Sequence, residues 1–97
     1  MQTNFYIISH FATPAGPAAF ARFEIGNDRE AAYRLFNRLK GDKEVNEQNM
    51  LCMELMETVN ELPVNINVLS CTLDELTENF RIITKETFKQ QNLNGAL

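Results

Sequence analysis

MLCMELMET, residues 50–58, is the stretch whose reading decides the fold. Leu51, Met53 and Leu55 alternate with Cys52, Glu54 and Met56, the period of two expected of a strand. Leucine and methionine also favour helix, so composition leaves both states open. Length and setting decide: the stretch is short and lies between a polar linker, DKEVNEQN, and a turn, TVNELP. It reads as a strand.

Downstream, Pro63 opens a second strand, where a missing N–H costs no ladder bond. In VNINVLS, residues 64–70, Val64, Ile66 and Val68 alternate with Asn65, Asn67 and Leu69. The continuation VLSCTLDELTENF puts Cys71 just outside a helix start. Thr72 with Glu75 forms a capping box, each side chain satisfying a backbone donor of the first turn. The helix runs from 73 to about 90, with Leu73, Leu76, Phe80, Ile83 and Phe88 as its apolar stripe. Lys85 and Lys89 complement the dipole of its last turns. Residues from about 91 to 97 read as a flexible tail.

Upstream, the same order is written once before. NFYIISHF, residues 4–11, is strand-like, ATPAGP is a loop, and AFARFEI, residues 19–25, sets Phe20, Arg22 and Glu24 against Ala21, Phe23 and Ile25. Asn27 with Glu30 reads as a capping box for a helix whose buried stripe is Ala32, Leu35, Phe36 and Leu39, with Gly41 as its left-handed stop.

The expected fold is α+β: a two-layer sandwich of one four-stranded antiparallel sheet with two helices on one face, in ββαββα order. The arrangement resembles ferredoxin-like packing, an architectural likeness that implies no function. At 97 residues the chain makes one domain, 1–97.

Two strands look apolar on both sides. The first offers Phe5, Ile7 and Phe11 against Tyr6, Ile8 and His10; the third offers Leu51, Met53 and Leu55 against Met50, Cys52 and Met56. One layer of helices covers only one side. The bare side then marks a partner or an apolar ligand, and a second copy is the simplest cover.

The net charge of −4 argues against nucleic acid, and the cations around Arg34 are interleaved with acids as on a solvated helix face. No stretch is long enough for a membrane span, and MQTNFYIISHF lacks the basic start of a secretory leader. Cys52 and Cys71 fit no metal or disulfide spacing and read as reduced thiols in a cytoplasmic protein. No cofactor is expected.

Asp74 and Glu75 oppose a thiolate at Cys71, which reads as a small packed residue and not a nucleophile. Glu54 and Glu57, three apart on a strand, point to opposite faces and make no acid/base pair. The expected function is a non-enzymatic domain dimerising through its open sheet face. The rival is an enzyme or small-molecule binder with a pocket at the dimer interface. Its candidate residues are His10, Tyr6, Glu54 and Arg22, with Cys71 as a further possibility.

Overall fold

The computed structural model describes residues 3–44 and 51–91. Strands β1 (Thr3–Thr13) and β2 (Gly16–Gly26) form a hairpin, followed by helix α1 (Arg29–Arg38). Strands β3 (Leu51–Val59) and β4 (Leu62–Cys71) and helix α2 (Leu73–Gln91) repeat that order. The sheet is antiparallel throughout, in the order β2-β1-β3-β4. Residues 51–58 are therefore strand, as their alternation predicts; Met50 and residues 92–97 lie outside the described residues.

Both hairpins are tighter than the sequence suggests. The predicted ATPAGP loop contracts to Pro14 and Ala15, because Thr13 and Gly16 already pair in the ladder and the Thr13 hydroxyl bonds Gly16 O. In the second hairpin Asn60 and Glu61 hold φ of 52° and 70°, the left-handed pair whose twist matches antiparallel strands.

Each return strand carries a bulge near its middle. Pairing jumps from Ser9↔Ala21 to His10↔Ala19 past Phe20, and from Leu55↔Asn67 to Met56↔Asn65 past Ile66. The bulges at Phe20 and Ile66 are 46 positions apart, as are the hairpin closures (13 and 59, 16 and 62), while a further register shift in β2, past Ile25, has no counterpart in β4. The two halves thus follow one plan, related about the central pair Ile8↔Glu54.

The bulges break the expected alternation. Phe20 does not share a side with Arg22 and Glu24; like Phe23 it stacks on Phe80 of α2. In β4, Val68 faces Glu54 while Ile66 packs against the core.

One contiguous cluster contains Phe5, Ile7, Met53, Leu55 and Leu69 from the sheet, Ala32, Leu35, Phe36 and Leu39 of the first helical segment, and Leu76 and Ile83 of α2. Both helices therefore cover the same sheet face. Each large apolar side chain so buried contributes about 1.5–3 kcal/mol.

Several helix details differ from expectation. Asp28, not Asn27, caps α1, its carboxylate accepting from Ala31 N–H at 3.2 Å. The helix ends at Leu39 in extended backbone, so Gly41 is not its stop. A Cβ on Gly41 would lie 2.7 Å from Ser70 O, because Asp42 next to it exchanges two backbone hydrogen bonds of 2.8 Å with Ser70. The polar linker thus begins by docking on the β4 edge. In α2 the Thr72/Glu75 capping box forms at 2.9 and 3.1 Å. Leu73 and Phe88, expected in the stripe, are 68% and 67% exposed, whereas Asn79 is fully buried.

Candidate interaction surface

The sheet face away from the helices takes its residues from the strand register. β1 supplies Tyr6, Ile8 and His10, and β3 supplies Cys52, Glu54 and Met56 opposite them. Glu24 lies beside Tyr6 and Arg22 beside Ile8, while Val68 and Ser70 lie beside Glu54 and Cys52. All four residues singled out by sequence, His10, Tyr6, Glu54 and Arg22, are on this face.

They form two separate pairs. His10 Nε2 approaches Glu54 Oε2 at 3.5 Å, along a diagonal of the β1–β3 ladder. Arg22 Nε donates to Glu24 Oε1 at 2.7 Å, and its guanidinium lies 3.8 Å above the Tyr6 ring. That stacking joins a cation to a π face and covers the ring, which is only 6% exposed. Ile8 stands between the pairs, with Arg22 on one flank and Glu54 on the other. Glu57 points to the helix side, where Arg29 Nη2 donates to its Oε2 at 2.7 Å.

Neither thiol is activated. Cys71 packs beneath the start of α2, where burial, and then the Glu75 carboxylate, push its pKa up to about 11. Cys52, opposite His10 and Ser70, is likewise raised by burial, with Glu54 adding repulsion. Both cysteines are free, and the strand alternation sends them to opposite sheet faces.

Among the described residues no group of three or more His, Cys, Asp or Glu side chains is placed to hold a metal ion. Four clefts between described side chains are lined by α1, α2 and the segment after α1, with contributions from β4. None of the four is lined by His10, Tyr6, Glu54 or Arg22.

The open face carries an apolar strip along Ile8, Met56 and Val68, beside the His10–Glu54 and Arg22–Glu24 pairs. Val68 and Ser70 escaped the sequence reading because the bulge at Ile66 moves the β4 register. The adjacent apolar pair Val68 and Leu69, which alternation sends to opposite faces, was the signal for it. No helix among the described residues is long and apolar enough to cross a membrane. Compared with protein-family models, curated proteins and solved structures, the chain matches none.

Proposed function

We propose that the open sheet face is an association surface, and that the protein is a non-enzymatic cytoplasmic domain acting as a homodimer through it. In this reading the two layers pack in the ferredoxin-like manner, and the second copy adds a third layer over the sheet. The observation that carries it is the strip of Ile8, Met56 and Val68 flanked by charges already paired as His10–Glu54 and Arg22–Glu24. Paired charges cost less to cover than free ones, and each apolar side chain covered adds stabilisation. Association through the sheet edges is disfavoured, since bulges interrupt both β2 and β4 and Asp42 occupies part of the β4 edge.

Sedimentation equilibrium at micromolar concentration tests this. The expected mass is twice the 11.1 kDa of the chain, and Ile8→Arg should be monomeric with an unchanged circular dichroism spectrum. A wild-type protein that stays monomeric rules the homodimer out.

The His10–Glu54 pair supports a second reading, a small-molecule or enzyme pocket roofed by the partner's sheet, with His10 and Glu54 as its polar groups. It requires the same dimer. It also requires that His10→Gln abolish ligand stabilisation in a thermal-shift screen while leaving the dimer intact.

A further inference from the structure

The cations of the chain are concentrated in two segments. Every Lys and Arg except Arg22 falls within residues 29–43 or 73–91. Those segments carry eight cations and six carboxylates, net +2, while the rest of the chain carries one cation and seven carboxylates, net −6. Helices α1 and α2 themselves carry six cations and five carboxylates, net +1, so any cationic character is local to particular side chains.

Within the helical layer a groove of about 480 Å³ runs between α1 and α2. Its two carboxylates are engaged: Arg38 Nη1 donates to Glu86 Oε2 at 3.0 Å across the groove, and Arg81 pairs with Glu78 at 3.5 Å. Lys85 and Lys89, one helical turn apart, line the same groove, are exposed, and have no ion-pair partner among the described residues. Between them in sequence is Phe88, 67% exposed, and Ile82 is half-buried nearby. Phe88 follows the apolar spacing of α2 yet is left largely uncovered by the described residues. A single exposed phenylalanine is ordinary. Here it is joined to two free cations in one groove.

We propose that this groove binds a short acidic peptide segment carrying an aromatic or aliphatic anchor. The anchor packs on Phe88 and Ile82 while flanking carboxylates pair with Lys85 and Lys89. Charge complementarity favours this occupant. A polynucleotide brings a continuous row of phosphates, and the groove answers with two free cations beside two carboxylates, on a chain of net charge −4. A membrane surface would require a broad apolar face, not one projecting ring. The net-negative sheet layer of a second copy would make a head-to-tail contact, which propagates into filaments unless it closes.

The full chain is titrated by fluorescence anisotropy into a labelled peptide of Glu-Glu-Leu-Phe repeats. Saturable binding that weakens with salt is expected. Lys85→Glu/Lys89→Glu should weaken it about tenfold or more, and Phe88→Ala by a similar factor. All three positions are exposed, so the variants should fold; Phe88→Gln serves if Phe88→Ala does not. Ile8→Arg should leave binding unchanged, which separates this groove from the open sheet face. Absence of binding overturns the proposal. So does binding that ignores Phe88 and is matched by a thymidine oligonucleotide or by phosphatidylserine vesicles, which would make the groove a general anion site. A rise in mass without peptide, abolished by the lysine variant, would reassign the groove to self-association.

Discussion

The carboxamide of Asn79 grips both backbone groups of Lys40: Lys40 N–H donates to Oδ1 at 2.7 Å, and Nδ2 donates to Lys40 O at 2.8 Å. Asn79 is fully buried in the middle of α2, and Lys40 is the second residue after α1. The contact ties the segment after α1 to α2 and satisfies both backbone groups of Lys40, whose carbonyl also lies 3.5 Å from Cys71 Sγ. Its Nδ2 also lies 3.5 Å from Met53 Sδ and 3.6 Å from Cys71 Sγ, so the amide sits where α2 meets the sheet.

Asn79→Leu should therefore be among the most destabilising single changes. It strands two backbone partners and forces a branched side chain into their place, at a cost of about 2–4 kcal/mol. Urea denaturation checks this through a lower midpoint at constant slope. A loss within the scatter of surface substitutions would mean that water replaces the amide without penalty.

Ser9 predicts the opposite sign. Its hydroxyl is fully buried on the helix-facing side of β1 and has no hydrogen-bond partner among the described residues. Ser9→Ala removes an unpaired polar group at the cost of one small atom, and should leave stability unchanged or raise it by up to about 1 kcal/mol. Thermal unfolding of the two proteins side by side decides it; a clear drop in Tm would reveal a hidden partner for the hydroxyl.

Arg29 and Glu57 are unequally exposed, with side-chain accessibilities of 57% and 9%. Losing Arg29 leaves a buried carboxylate without its partner, whereas losing both charges does not. Arg29→Met should lower the urea midpoint, and Arg29→Met/Glu57→Met should recover most of the loss. Additive losses in this double-mutant cycle would show the two residues to be uncoupled.

Cys71 gives a pH dependence. Its pKa is raised from 9.0 to about 11 in the folded protein, by burial first and by Glu75 second. Between those values the unfolded chain releases the thiol proton and the folded chain keeps it. The contribution to stability is thus complete below pH 9, and is lost as pH rises from 9.0 toward about 11. Tm should fall across that window, and the fall should be shallower in Cys71→Ala. Equal slopes would exclude the thiol as the source. Native Cys71 should also resist Ellman's reagent until the protein unfolds.

The identity of every element was legible in local pattern. Alternation over 51–58 is a strand, the buried stripe Ala32, Leu35, Phe36 and Leu39 is a helix face, and Thr72 with Glu75 announces a helix start. These signals involve neighbours a few residues apart, so no tertiary information is needed to read them. The roles of Phe88 and Asn79 were not legible. Spacing places Phe88 in the α2 stripe, but the stripe outruns what the fold covers. Asn79 carries a polar side chain whose partner is 39 residues away.

For the candidate surface, sequence named His10, Tyr6, Glu54 and Arg22, and alternation put Tyr6 and His10 on one side of their strand, but it left open whether the three strands share a side. Which of them touch was decided by register. His10 meets Glu54 because β1 and β3 pair about Ile8, and Arg22 lies on Tyr6 because the bulge at Phe20 resets β2. Periodicity is a property of a segment with itself and survives in the one-dimensional string. Register, bulges and the reach of a helix over the sheet are relations between segments, so only the assembled chain settles them.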